Sequence, residues 1–506
     1  MLAVLVASAL LRGPGFTQGG FASHDVGGIL YGSMLLHAGL LPYVASVELK
    51  APGTFYLAAA LAGPEGRDIA ALQIAANLTA LASLLALAGV AWRLWGGAAA
   101  FVAALVYALH DAALDRMDAN YVTWAQLPQI LAMAAGLAAA RARGRGRGLA
   151  TWALAGALCG AAALCKQPAG VILVPVAVWA LRCARRFDWI AAAAVLAGFV
   201  GAHVPVALHY AAHGELAALV RGYAFNPWGL AYITQRGDAG PLAELREGLL
   251  ATVHTLALPL ALAGFAVVRR LSRRPGPEGQ DPSDRQGWLL LWLAATLAAA
   301  CVGLRFYRGY YLAVLPPLCL LAAAPWGVRS LLRRPLPRAR AAIAALVIVA
   351  LGARAVADLR AIRADRQRPH DAGVRAVARY VERHSGPGDT IWVWGWHLWG
   401  AYALTGRLAG SRVYKTLGLL TPPNDDTWRR PASSPQVSPE NPWMAVLVED
   451  LERTRPAVIV LGGTTPRSGL GPLRRLLHTH YRRDDCRIGK VECWRLRPVD
   501  PNAGLR

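Results

Sequence analysis

Residues 122–148 read VTWAQLPQILAMAAGLAAARARGRGRG. No charge occurs from Val122 to Ala140, and then Arg141, Arg143, Arg145 and Arg147 arrive together. An α-helix rising 1.5 Å per residue needs about 20 apolar residues to cross a bilayer. Arginines crowded against one end of such a run are the mark of a cytoplasmic loop. Working outward, similar apolar runs fall near 1–11, 69–92, 97–110, 122–140, 149–165, 168–182, 188–211, 248–268, 287–304, 310–327 and 340–358, about eleven in all. The first is half-length, which fits a short tilted span or a start further upstream. The chain of 506 residues is 55% hydrophobic and only 16% charged. Soluble domains carry about a quarter charged residues, so the sequence predicts an α-helical polytopic membrane protein.

The net charge of +23 does not point to nucleic acid, because the arginines sit in short clusters between apolar runs. Arg182, Arg185 and Arg186 follow the sixth run; Arg269, Arg270, Arg273 and Arg274 follow the eighth; Arg329, Arg333, Arg334, Arg338 and Arg340 follow the tenth. With the cluster after the fourth, all lie on one side. The positive-inside rule makes that side the cytoplasm of a plasma (inner) membrane. The N-terminus is then cytoplasmic and residues 360–506 extracytoplasmic.

The expected domains are 1–359, a transmembrane domain with a large first external loop at 12–68, and 360–506, a small soluble α/β domain. In the latter, 371–384 and 444–454 have helical periodicity, 390–396 and 457–461 read as strands, and 484–497 as a hairpin. The Pro-, Ser- and Asn-rich stretch 421–442 reads as an ordered loop or a flap. Cys159, Cys165, Cys183, Cys301 and Cys319 lie in or beside apolar runs and read as small core residues. Cys486 and Cys493 flank a turn-like stretch and are a candidate disulfide if they lie outside the cytoplasm.

Long external loops carry function more often than short connectors. The first contains Ser23-His24-Asp25-Val26-Gly27-Gly28, then Gly39-Leu40-Leu41-Pro42-Tyr43, then Glu48-Leu49-Lys50-Ala51-Pro52-Gly53-Thr54-Phe55-Tyr56. In that order, and on that face, the motifs resemble the first loop of the bacterial GT-C glycosyltransferases related to protein mannosyltransferases and aminoarabinose transferases. Lys166-Gln167-Pro168 before an apolar run, and Arg305-Phe306-Tyr307-Arg308-Gly309-Tyr310-Tyr311 leading into Pro316-Pro317, are similar to further stretches of that family. The resemblance covers roughly residues 1–330. Two departures stand out: the family's Asp-Glu pair is here His24-Asp25, and its Lys-Pro-Pro is Lys50-Ala51-Pro52.

The resemblance implies a GT-C-like fold and transfer of a sugar, with inversion, from a polyprenyl-phosphate donor. The acceptor would be a protein, lipid or polysaccharide outside the cytoplasm. Such chemistry needs a base for the acceptor's proton. It also needs cations for the departing phosphate, whose charge grows as the sugar becomes oxocarbenium-like. Asp25 is the candidate base. Lys50, Lys166, Arg305 and Arg308 are candidate phosphate ligands, with Tyr307, Tyr310 and Tyr311 for the lipid or sugar pocket. Glu48 is grouped with the donor site as a partner for a cation or a divalent metal, or as a plain surface carboxylate; no other cofactor is implied.

Each role has a plainer alternative. Asp25 suits an N-cap near Val26, Lys50 an interfacial snorkelling lysine, and the arginine pair a membrane boundary. His110, Asp111, Asp115, Asp118 and Asn120 read as a second external loop, in which Asp115 or Asp118 is the candidate to shape the acceptor site and the remainder suits a solvated loop. His24, His37 and His203 suit packing. Trp392, Trp394, Trp396 and Trp399 suit a core or interface, with sugar stacking as the minor alternative. The competing functions are a transporter or flippase for a lipid-linked sugar, and a scaffold for envelope assembly. Transporters carry repeated halves and mid-span charges, and no repeat is visible here.

Overall fold

At membrane depth every backbone N–H and C=O must find its partner within its own segment, so uncharged apolar runs fold as α-helices. The structure, a computed structural model, describes the chain apart from residues 22, 143, 183–186, 228, 231–239, 272–283, 328–337, 417, 422–436, 438–440, 464, 467 and 499–506. Among the described residues, seven helices are long and apolar enough to cross a membrane: Ile69–Trp95, Gly97–Asp115, Tyr121–Ala139, Arg145–Cys165, Trp189–Ala212, Gly287–Leu304 and Ala342–Arg366. An eighth candidate is the pair Pro241–Thr255 and Ala257–Val268, bent by 86° at its break. Leu2–Leu11, Gln167–Arg182 and Leu315–Trp326 are shorter apolar helices. The eleven expected runs thus become seven full-length helices, a bent pair and three short ones. Cys183, the 421–442 flap and several of the clustered arginines (Arg143, Arg185, Arg186, Arg273, Arg274, Arg329, Arg333 and Arg334) lie wholly or largely outside the described residues.

Small residues let these helices touch. Gly156 and Gly160 form a Gly-x-x-x-Gly step on helix Arg145–Cys165. A Cβ on Gly156 would stand 1.8 Å from the carbonyl oxygen of Val195, and one on Gly198 1.9 Å from that of Ala153. Both neighbours are backbone atoms, so only glycine fits, as is common where transmembrane helices approach closely. At the other extreme, Ala342–Arg366 is only 6% buried and exposes Ile343, Leu346 and Val349. Lipid is the solvent such a surface suits.

The chain divides into two compact units, and the division is not linear in sequence. A helical unit comprises Met1–Gly19, Gln73–Leu208 and Asp238–Arg368. A loop-and-sheet unit comprises Gly20–Leu72, His209–Gly237 and Pro369–Arg506. In the second, most of residues 12–68 packs with the C-terminal segment. Its sheet contains β1 (Ile391–Trp394), β2 (Val458–Leu461), β3 (Tyr481–Asp484) and β4 (Glu492–Leu496), in the order β1-β2-β4-β3. β1 and β2 are parallel, with Ile391 opposite Val458, while β4 runs antiparallel to β2 and β3. Both parallel strands are buried along their whole length, which is why they read as unbroken apolar runs. Trp392 and Trp394 lie in the core under helices Pro442–Thr454 and Gly471–His480, and the Trp392 indole donates to the Val413 carbonyl at 2.9 Å.

Cys486 and Cys493 are joined across the β3–β4 turn, with Cα atoms 6.0 Å apart. A loop this short contributes about 2 kcal/mol by restricting the unfolded chain. Alkylation of the unreduced protein, read by mass spectrometry, should leave both cysteines unlabelled; two labelled thiols would contradict the bridge.

Candidate active site

In the loop-and-sheet unit, helix His24–His37 opens with Asp25 in its first turn. Ser23, not Asp25, holds the N-cap position, so capping does not account for the aspartate. Lys50 lies just before helix Gly53–Leu61, and its Nζ is 3.6 Å from Asp25 Oδ1. The side chains are 26% and 40% exposed for Asp25 and Lys50, so a substrate can reach both. At that distance they form an ion pair but no tight hydrogen bond. His24 beside them is held neutral: burial pulls its pKa down to about 4, and its ring stands edge-on to Trp399 at 5.7 Å.

A second, buried pair lies behind the first. Glu48 accepts from Lys415 Nζ at 2.6 and 2.8 Å and from the Tyr414 hydroxyl at 2.5 Å. Its Oε1 also accepts from the backbone N–H groups of Leu49 and Lys50, at 2.8 and 3.1 Å. Glu48 and Lys415 are 3% and 4% exposed, so the surface-carboxylate alternative for Glu48 is corrected. Among the described residues no three His, Cys, Asp or Glu side chains gather as metal ligands. Lys415 also faces the rings of Trp399 and Tyr414, at 5.1 and 5.0 Å. Burial lowers its pKa from the ordinary lysine value and Glu48 works against that shift.

Backbone geometry makes room for this arrangement. A Cβ on Gly28 would stand 2.8 Å from Lys415 Nζ, and one on Gly27 2.8 Å from the Gly400 nitrogen. The Gly27-Gly28 step therefore lets helix Gly400–Thr405 and the Lys415 ammonium lie against helix His24–His37. The loop is tied down further by Val47, whose N–H donates to the Arg412 carbonyl at 2.8 Å. Tyr43, in the left-handed region at φ 67°, donates its hydroxyl to the Lys50 carbonyl at 2.5 Å.

In the helical unit, the expected second loop takes a different form. Helix Gly97–Asp115 continues through His110 and Asp111 to Asp115, and all three are buried. The expectation of a solvated external loop fails here because Arg12, fully buried, supplies the counter-charge. Its guanidinium donates to Asp111 Oδ2 at 3.0 Å, to Asp115 Oδ2 at 2.5 Å and to Asn77 Oδ1 at 3.0 Å. Asp115 Oδ1 accepts from the Met117 N–H at 2.8 Å, and Asp118 accepts from Gln73 at 2.5 Å. Arg116 and Met117, at φ 57° and 55°, form the left-handed turn that brings Asp118 back to this network.

The segment 305–311 lies beside it. A Cβ on Gly309 would be 3.9 Å from the Leu114 carbonyl. Lys166 Nζ stands over the Tyr310 ring at 4.1 Å, and Tyr310 meets Tyr307 at 5.5 Å. Arg305 is buried, and Arg308 pairs with Asp358 at 2.9 Å. Tyr311 is a core residue: its hydroxyl accepts from Thr252 at 2.8 Å, so it does not line an open pocket.

The sequence reading missed Arg12 and Lys415. Arg12 had a signal, being a single arginine set directly at the end of the apolar run 1–11. Lys415 had one too: of 53 basic residues only Lys50, Lys166, Lys415 and Lys490 are lysines.

No protein-family model matches the chain, and no curated protein matches its sequence. Solved structures do share its fold. ArnT from Cupriavidus metallidurans bound to undecaprenyl phosphate aligns over 98% of this chain and 98% of its own, at 13% identity and a TM-score of 0.59. Its apo state aligns over 97% of each chain, at 14% identity and a TM-score of 0.58. The Archaeoglobus fulgidus oligosaccharyltransferase in the apo form aligns over 91% of this chain and 69% of its own, at 15% identity and a TM-score of 0.52. At such identities the likeness is one of fold: the GT-C-like architecture with a small C-terminal α/β region.

Proposed function

We propose that the chain is a membrane glycosyltransferase that moves a sugar from a polyprenyl-phosphate donor to an acceptor on the extracytoplasmic face, with inversion at the anomeric carbon. The observation that carries this is the half-exposed pair of Asp25 and Lys50, 3.6 Å apart. The fold shared with ArnT, a protein solved with undecaprenyl phosphate, supports the choice of donor class.

In the proposed reaction the acceptor's nucleophilic oxygen or nitrogen attacks the anomeric carbon and the sugar–phosphate C–O bond breaks. The electron pair leaves with polyprenyl phosphate, and the acceptor's proton passes to Asp25. Lys50 holds the phosphate, whose charge increases as the bond breaks. Asp25 and the phosphate compete for the same ammonium, so donor binding relieves the carboxylate of its counter-charge and makes it the stronger base. Asp115 and Asp118, buried in the Arg12 network, are assigned to shaping the helical unit rather than to proton transfer.

Lys50→Ala tests the assignment. A phosphate contact is made in the ground state and strengthened in the transition state, so its loss should weaken donor binding and turnover together. A charge-assisted contact of roughly 1.5–3 kcal/mol corresponds to about 10- to 100-fold in the dissociation constant of undecaprenyl phosphate. Titration of the purified protein with that lipid reads it, and unchanged affinity would remove Lys50 from the donor site.

A further inference from the structure

Four charges of alternating sign run through the loop-and-sheet unit: Lys415, Glu48, Lys50 and Asp25. Lys415 meets the Glu48 carboxylate through both oxygens, and the same Glu48 Oε1 accepts the Lys50 backbone N–H at 3.1 Å. The Lys50 side chain then reaches Asp25. Tyr414, the residue before Lys415, donates to the other Glu48 oxygen. The 48–50 turn is therefore held from the C-terminal segment.

We infer that Lys415 is a positioning residue for the transfer reaction: through Glu48 it sets the backbone of the 48–50 turn and with it the reach of the Lys50 ammonium toward Asp25 and the donor phosphate. Lys415 is too deeply buried to touch substrate itself. A buried ion pair is weak grounds for stability, because desolvation offsets most of the attraction. Its better-attested use is to select one arrangement among several, and here the arrangement selected contains both half-exposed groups. Gly28 fits the same role, since any larger residue would push the ammonium away. On this account the segment after 369 completes the site.

The inference rests on the proposed transfer for its kinetic consequence but not for its geometric one, so two readouts are needed. The first is acylation of Lys50 by an amine reagent in the full-length protein, followed by peptide mass spectrometry. With only four lysines in the chain, each is resolved. Lys415→Met should change the Lys50 acylation rate severalfold relative to wild type, and Lys415→Arg, which can still grip the carboxylate bidentately, should return it. The second readout is sugar transfer. Misplacing a reacting group by about 1 Å costs up to about 100-fold, so kcat should fall roughly 10- to 100-fold in Lys415→Met and largely recover in Lys415→Arg. Tyr414→Phe removes one hydrogen bond to Glu48 and no charge; it should shift both readouts in the same direction by less, and it serves if Lys415→Met does not fold. An unchanged Lys50 acylation rate in a folded Lys415→Met protein, or in Tyr414→Phe if only that variant folds, overturns the inference. A wild-type protein that transfers no sugar overturns the proposed function instead, and the acylation rates still decide the role of Lys415.

Discussion

Asp25→Asn is expected to lower the turnover of sugar transfer by about 100-fold or more, the range for losing a general base. Donor affinity should be no weaker than in the wild type. Asparagine keeps the shape of the side chain and its place in the first turn of helix His24–His37, so the local fold has little reason to change. What it loses is the capacity to take a proton. It also stops competing with phosphate for Lys50, 3.6 Å away. The neighbouring His24 is a poor replacement base, because burial pulls its pKa down to about 4 and leaves its ring nitrogen only weakly basic. Single-turnover transfer together with lipid-phosphate titration separates the two effects. Weaker donor binding with unchanged turnover would give Asp25 a binding role and remove the mechanism.

Arg12→Ala is expected to destabilise the helical unit by about 3–5 kcal/mol, the cost of removing one partner from a buried ion pair. The guanidinium is fully buried and donates to Asp111, Asp115 and Asn77. Without it, two carboxylates at the end of helix Gly97–Asp115 face one another with no counter-charge. A cavity of guanidinium size adds to the loss. Arg12→Met with Asp111→Asn and Asp115→Asn removes the charges together and should recover much of the stability, since apolar or neutral replacements of whole networks are tolerated far better than half-broken ones. Thermal melting of the purified protein in detergent reads both variants. A single Arg12→Ala protein that melts with the wild type would show that the network contributes nothing to the fold.

Much of the architecture was legible because it follows from the solvent. A run of apolar residues long enough to span must be helical in lipid, and no long-range information is needed to see it. The strands Ile391–Trp394 and Val458–Leu461 were legible for a similar reason, as short β-rich apolar runs bounded by polar turns. Asp25 and Lys50 were legible from the order of motifs, and the structure brings them together. Their support was not. Glu48 meets Lys415 across 367 positions, and Arg12 meets Asp111 and Asp115 across 99 and 103. Periodicity carries nothing about such pairings. The same gap explains the shortened reading of helix Gly97–Asp115: charges normally end an apolar run, and only a partner from elsewhere in the chain lets the helix keep them buried. The gathering of residues 20–72 with the sheet likewise depends on contacts such as Val47 with Arg412 that leave no local trace.

The most direct test is to give the purified full-length protein a synthetic polyprenyl-phosphate sugar, reconstituted in vesicles, with extracts of envelope acceptors on the accessible face. The wild type is expected to give matched release of polyprenyl phosphate and labelled acceptor, and Asp25→Asn to lose both. Movement of the intact lipid-linked sugar between leaflets, with no bond cleaved and no difference between the two proteins, would contradict it.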